Sequence, residues 1–282
     1  MATLYVSDLD GTLLLPDGTL GARTVAVVNA LVEAGGLFTY ATARGYESSS
    51  RVTGALRLDL PVITYGGAVI VDPRTGRPRY GARVPAAAVA AMLAATEAAE
   101  NTQGASPVQP VVFANHGGRD RVCWLPARST PAVESYLARR APDPRFLPLD
   151  DWREIDWAEV FFYAVLGELA PLQRLRDTLA DALDGCHVTL TEEIYAPGQY
   201  WLEVGAVEGT KAAALRTVAG AAGADRLVCF GDNLNDLPMF ALADESLAVA
   251  NALEEVRSRA SAVIGGNAEE GVATWLSAHA LP

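Results

Sequence analysis

LYVSDLDGTLLL, residues 4–15 of a 282-residue chain, runs from an apolar β-forming stretch into two carboxylates, Asp8 and Asp10, set one residue apart. Like charges crowded at a strand end repel each other, so the pair costs stability unless a cation or a reaction uses it. Thr3 to Ser7 reads as a buried strand, and the turn-forming DGT and PDG segments that follow read as a loop. Residues 22–35 carry apolar side chains at helical spacing and stop at Gly35-Gly36, after which residues 37–44 (LFTYATAR) return to β-forming composition. Strand, helix, strand is the βαβ unit, which requires parallel pairing. A second helix over residues 47–56 and a strand over residues 61–71, interrupted at Gly66-Gly67, continue the pattern.

The middle of the chain reads differently. A helix over residues 85–100 precedes strands at 110–116 and 121–126, joined by the turn GGRD, and a helix at PAVESYLARR leads into a proline-rich loop over 141–152. AEVFFYAVLG, a helix over 169–183, CHVTLTEE and GQYWLEVG complete an α+β block of mixed or antiparallel pairing. Regular alternation resumes with a helix over 208–223, the strand RLVCFGD at 226–232, and further helix and strand pairs to the C-terminal helix AEEGVATWLSAH. The expectation is an α/β protein whose Rossmann-like parallel-sheet core is split into residues 1–82 and 205–282, with a smaller α+β cap over 83–204 inserted between.

Composition narrows the function classes. Half of the residues are hydrophobic, a fifth are charged and 7% are aromatic, which describes a soluble globular chain. A formal charge of -12 excludes a nucleic-acid polymer or an anionic membrane as the main partner, and an anionic substrate would need a local cation. Cys123, Cys186 and Cys229 have no CxxC spacing and leave one over after any pairing, so they read as reduced thiols. No basic leader precedes an apolar stretch, and no run approaches the roughly 20 apolar residues that span a bilayer. A cytoplasmic location is the default expectation.

Ligands of a parallel open sheet gather beyond the carboxyl ends of its strands. Four groups fall there: Asp8 and Asp10 after the first strand, Thr42 after the second, Lys211 at the start of the helix that re-enters the core, and the cluster Asp232, Asn235 and Asp236 of GDNLND. Each has an ordinary explanation, since Asp, Asn and Thr cap helices and build turns. A lysine opposes the dipole at a helix N-terminus, so a ligand-facing role for Lys211 competes with a solvated one. Taken together, two carboxylate clusters, a hydroxyl and a lysine at successive strand ends make a site for Mg²⁺ and a phosphate, with one carboxylate of the first pair free to act as nucleophile.

DLDGTLL, TYATAR, GTKAAAL, GDNLNDLPMF and the C-terminal VANALEEVRSRASAVIGGNAEEGVATWL together resemble the haloacid dehalogenase-like phosphohydrolases, in particular the Cof-type subgroup (subfamily IIB) with a C2-type cap. The resemblance covers both core segments in order and spacing; the cap matches in length and general pattern. It implies that Asp8 is a nucleophile that becomes an aspartyl phosphate and that Asp10 is a general acid, then base. Thr42 would donate to the phosphoryl oxygens and Lys211 would neutralise their charge. Asp232 would complete a Mg²⁺ shell with the Asp8 carboxylate and the Asp10 backbone carbonyl, supported by Asn235 and Asp236. Two positions depart from the family pattern: Ala43 stands where the second motif has glycine, and Tyr65 stands where an asparagine is common.

The reaction so implied is hydrolysis of a phosphate monoester of a small metabolite, such as a sugar phosphate, a phosphoglycerate conjugate, or a nucleotide or cofactor phosphate. A phosphomutase using the same aspartyl phosphate, or a regulatory module that binds phosphate or metal without turnover, are the alternatives. Asp10 beside Asp8 argues against the last, because a binder needs no acid and base. Substrate contacts are expected from cap loops: His116 and Arg119 in NHGGRD, the stretch YAPGQYWLEV, and Glu203 by similarity. For the aromatic residues in the second stretch core packing is the favoured reading, and His187 and His279 read as bystanders.

Overall fold

A computed structural model describes residues 2–100, 108–193 and 196–281. The chain divides into two compact units, Met1–Tyr80 with Glu208–Pro282, and Gly81–Val207. In chain order the first unit contributes β1 (Thr3–Ser7), α1 (Ala22–Glu33), β2 (Leu37–Tyr40), α2 (Tyr46–Thr53), β3 (Val62–Thr64), β4 (Val69–Val71) and β5 (Pro78–Gly81). The second holds α3 (Ala86–Glu100), β6 (Gln109–His116), β7 (Arg119–Trp124), α4 (Pro131–Arg140), β8 (Phe146–Pro148), β9 (Val160–Gly167), α5 (Leu169–Thr178), β10 (Cys186–Glu192) and β11 (Tyr200–Ala206). The chain then returns through α6 (Lys211–Ala222), β12 (Arg226–Gly231), α7 (Leu237–Phe240), β13 (Glu245–Val249), α8 (Glu254–Arg259), β14 (Ala262–Ile264) and α9 (Gly271–His279).

The first unit is built on a parallel sheet of order β14-β13-β12-β1-β2. Leu4, Val6, Val228, Phe230, Leu247 and Val249 are wholly buried, as strands covered on both faces require. From β1 the chain steps to β2 on one side, whereas β12, β13 and β14 extend the sheet on the other. The order therefore reverses between β1 and β12, and the carboxyl ends of these two neighbours are the switch point where such sheets open a crevice. Asp8 follows β1 and Asp232 follows β12.

The single strand expected over 61–71 is instead a hairpin. β3 and β4 pair antiparallel, Thr64 opposite Val69, and the backbone reverses through Tyr65, Gly66 and Gly67, all at positive φ. Two glycines in succession made that reversal possible where an uninterrupted apolar run would have stayed extended. Ala41 bridges Ile63 in parallel, which fastens the hairpin to the edge of the core sheet.

The second unit is a six-stranded sheet of order β10-β11-β9-β6-β7-β8, antiparallel except for the β7 and β8 pair. Its core lies on one face, where Met92, Leu93, Leu172 and Leu175 of α3 and α5 meet Val112, Tyr163, Val165, Leu202 and Val204. β8 sits inside the stretch expected to be a proline-rich loop; three residues pairing along β7 suffice to order it.

Candidate active site

The loop after β1 is shaped by glycine. Gly11 lies at φ 79°, and a Cβ there would sit 2.5 Å from Asp232 Oδ2. Only glycine lets the first acidic loop approach the second this closely. Thr12 Oγ1 then donates to Asp232 Oδ1 at 2.9 Å, and Asn251 Nδ2 donates to the Gly11 carbonyl at 2.7 Å. Asp8 is fixed by its own backbone, whose N–H donates to the Phe230 carbonyl at 3.0 Å and so prolongs the β1 and β12 ladder by one residue.

Lys211 closes the cluster from α6. Thr210 caps that helix, its hydroxyl accepting from the Ala213 N–H at 3.2 Å, and the helix starts at Lys211 itself. The ammonium is buried and donates to Asp8 Oδ1 at 2.5 Å and Asp236 Oδ1 at 2.7 Å. Asp236 Oδ2 accepts from the backbone N–H groups of Asp232 and Asn233 at 3.0 and 3.1 Å. Both Asp236 oxygens are thus engaged in building the site, while hydrogen bonds among the described residues leave Oδ2 of Asp8 and of Asp232 open.

The electrostatics follow from burial. Removal from water pushes the Asp8 carboxyl up to about 7 despite the pull of Lys211. Burial also raises Asp232, offset in part by the Thr12 hydroxyl. Burial alone would lower the Lys211 ammonium, yet the charges of Asp8 and Asp236 outweigh it and hold it above its ordinary value. Oxygen atoms of Asp8, Asp232 and Asp236 lie within 4.8 Å of one another. Three carboxylates and one ammonium sum to -2, the charge a divalent cation balances, and an all-oxygen donor set suits a hard ion such as Mg²⁺.

Not every expected residue joins this cluster by a direct contact. Thr42 is fully buried at the end of β2, its hydroxyl accepting from the Arg44 N–H at 3.1 Å. Asp10 is half-exposed and gripped by Arg44, Nε to Oδ2 at 2.8 Å and a terminal nitrogen to Oδ1 at 2.5 Å. Asn235 is exposed on the turn before α7. Ala43 does not disturb the turn, which Thr42 closes.

The second unit separates the residues expected to contact substrate. His116 and Arg119 face each other across the tip of the β6 and β7 hairpin, where Gly117 and Gly118, at φ 64° and 74°, form the left-handed turn such a hairpin needs. Glu203 on β11 is level with Ala164 and Val111, and His116 lies five residues beyond Val111, about 17 Å along the strand. The Glu203 carboxylate accepts from Thr189 at 3.1 Å, and burial raises its pKa. Of the YAPGQYWLEV stretch, Tyr195 lies outside the described residues. Trp201 is a packing residue, edge-on to Tyr136 with its indole donating to Glu193.

Arg44, Thr12 and Asn251 were missed as site residues by sequence reasoning. Arg44 and Thr12 stand inside the quoted motifs, and the signal was their spacing: two residues past Thr42 and two past Asp10 respectively. Asn251 also stands inside a quoted motif, at its third position, but its partner, the Gly11 carbonyl, is 240 residues away and no local spacing connects the two.

The sequence matches the haloacid dehalogenase-like hydrolase family over residues 5–276. Among curated proteins it is 24% identical to the 5-amino-6-(5-phospho-D-ribitylamino)uracil phosphatase YitU of Bacillus subtilis, covering 97% of this chain and 96% of that one. It is 28% identical to an HMP-PP phosphatase of Serratia proteamaculans, covering 98% and 94%. A haloacid dehalogenase-like hydrolase from Bacteroides thetaiotaomicron shares the fold with a TM-score of 0.76 at 20% identity, over 99% of both chains. The chain belongs to the haloacid dehalogenase-like hydrolases.

Proposed function

We propose that the protein is a Mg²⁺-dependent phosphatase that hydrolyses the phosphate monoester of a small metabolite through an aspartyl phosphate on Asp8. The observation that carries the reading is the buried Lys211 bridge between Asp8 and Asp236 beside Asp232: an acidic assembly that a divalent cation would balance, and that leaves one Asp8 oxygen open. The names of the two curated relatives, both phosphatases, point the same way.

Asp8 and Asp232 would hold the cation, which neutralises charge between the Asp8 carboxylate and the incoming phosphate. Asp8 attacks phosphorus, the bond to the leaving oxygen breaks, and Asp10 gives that oxygen a proton. Water then attacks the same phosphorus, loses its proton to Asp10, and releases inorganic phosphate and the free Asp8 carboxylate. Asp10 must exchange the Arg44 guanidinium for the leaving oxygen to do this. The Thr42 hydroxyl, accepting from Arg44, retains its own proton for a phosphoryl oxygen, and Lys211 compensates the phosphate charge. The unit Gly81–Val207 serves as the cap, its exposed hairpin residues His116 and Arg119 and its half-buried Glu203 being the candidates for recognising the rest of the metabolite.

Release of inorganic phosphate from a panel of phosphorylated metabolites tests the reading. Wild type with Mg²⁺ releases phosphate, whereas chelation or Asp8→Asn abolishes release; turnover that survives either would refute it.

A further inference from the structure

The unit Gly81–Val207 contains a cavity of about 430 Å³, inside the range of roughly 300–1,000 Å³ that small-molecule sites occupy. It runs along α4, between that helix, the end of β9 and the start of β11. The described residues on its wall all belong to this unit, whereas Asp8, Lys211 and Asp232 belong to the other. Tyr200, where β11 begins, lies on the wall, and the chain leaves the unit only after the opposite end of that strand, about 20 Å further on.

The wall carries one charge of each sign, close together. Glu193 is buried, at 8% exposure, and its Oε2 accepts from the Trp201 indole N–H at 2.7 Å. Arg139 Nη2 lies 3.5 Å from the same oxygen, while its Nη1 donates to Ser135 Oγ at 2.5 Å. Ser135 and Arg139 follow one another at i and i+4 on α4, so the helix face that lines the cavity also holds the guanidinium there. At 3.5 Å the pair is looser than a charge-assisted hydrogen bond of about 2.7–2.9 Å, and a better-placed partner would displace it. Beside the pair the wall has apolar surface from Ala132, Leu166 and Trp201, whose ring is fixed edge-on to Tyr136 at 5.0 Å. Glu168, also on the wall, is exposed to water.

We propose that this cavity binds an α-amino acid with an apolar side chain, at residues separate from those of the phosphate site. The argument is charge balance. An anionic ligand would take Arg139 and strand the Glu193 carboxylate out of water; a cationic one would take Glu193 and strand Arg139. A neutral ligand leaves the pair as it is and gains nothing from it. A ligand with both charges a few ångströms apart compensates both members at once: its ammonium donates to Glu193, and its carboxylate accepts from Arg139. Its side chain then covers the apolar wall. The inference is independent of the phosphatase reading, since it needs neither Asp8 nor a metal.

Calorimetric titration of the full chain, without substrate, tests it on wild type, Glu193→Gln and Arg139→Gln. The ligands are L-leucine, L-phenylalanine, N-acetyl-L-leucine, which lacks the ammonium, and L-leucinamide, which lacks the carboxylate. Wild type binds leucine or phenylalanine at one site, and the two derivatives of leucine at least tenfold more weakly. Glu193→Gln loses at least tenfold in affinity for the amino acid and no longer distinguishes leucine from N-acetyl-leucine. Arg139→Gln loses as much and no longer distinguishes leucine from leucinamide. Circular dichroism checks that the variants fold, and the more exposed Arg139 keeps the test decisive if Glu193→Gln does not. No binding of leucine or phenylalanine by wild type at millimolar concentration, or unchanged affinity in Arg139→Gln, overturns the inference. So does a fall in kcat/KM for a hydrolysed monoester in these variants with no amino acid bound by wild type, which would make the cavity a seat for part of the substrate instead.

Discussion

Lys211 is the residue on which the site's stability turns. Its ammonium is almost wholly out of water and touches two carboxylates that are equally buried. Replacing it by Met leaves Asp8 and Asp236 facing each other without compensation, and breaking a buried ion pair in this way costs about 3–5 kcal/mol. Urea denaturation of Lys211→Met without metal should show that loss, and Mg²⁺ should restore part of it. Gly11→Ala tests the approach of the two acidic loops: its Cβ would run into the Asp232 carboxylate, so calorimetry should show Mg²⁺ affinity falling at least tenfold. Asp8, Asp232, Asp236 and Lys211 were legible in the sequence only as a set, because each alone reads equally as a cap, a turn or a solvated charge, whereas all of them at successive strand ends point to one place. Their division of labour was not. Asp236 was expected in a supporting role shared with Asn235; it holds Lys211 and two backbone N–H groups at once, which depends on the turn of Asn233 to Asp236. Asp10 was expected beside the metal through its backbone; its side chain is held by Arg44, a partner set by a loop conformation that the sequence does not display.

Elements position these residues, and α6 does so most directly. Thr210 is both its cap and the residue against which Gly67 packs. Thr210→Ala removes the capping bond at a cost of about 1 kcal/mol, and because the helix begins at Lys211 the same change should reduce kcat more than global unfolding accounts for, as parallel stability and rate measurements would show. The helices and the parallel strands were readable from their periods, since a strand buried on both faces and an amphipathic helix differ in pattern. The short strands were not. β5 is a four-residue strand with two exposed residues, and β8 is three residues ending in proline, too short for either period to register. The β3 and β4 hairpin was hidden for another reason: an apolar run with two glycines reads equally as a bulged strand, and only pairing of Val62 with Val71 decides between them.

For the molecule as a whole, net charge and the charge of the metal-free site have the same sign, so both oppose an anion until a cation is bound. A chain of formal charge -12 repels anions, so an anionic substrate depends on the local balance at Asp8, Asp232, Asp236 and Lys211. A cation bound there stabilises the native state by mass action, about 2.7 kcal/mol at a hundredfold excess over Kd. Mg²⁺ should therefore raise the thermal midpoint of wild type, chelation should reverse the rise, and Asp232→Ala should be insensitive to both. The unit Gly81–Val207 has a hydrophobic core of its own, from Val84 to Val204. Expressed alone it should unfold in a single cooperative transition by circular dichroism, whereas a broad, featureless melt would show that it depends on the rest of the chain.

Phosphoryl transfer to Asp8 is the central claim, and acid quenching during turnover addresses it most directly. Wild type mixed with Mg²⁺ and a hydrolysed monoester, quenched in acid and digested, should yield the peptide containing Asp8 carrying one phosphoryl group, absent after chelation and in Asp8→Asn. Phosphate release by wild type that continues at the same rate in Asp8→Asn, with no phosphorylated peptide at any time point, would contradict the account.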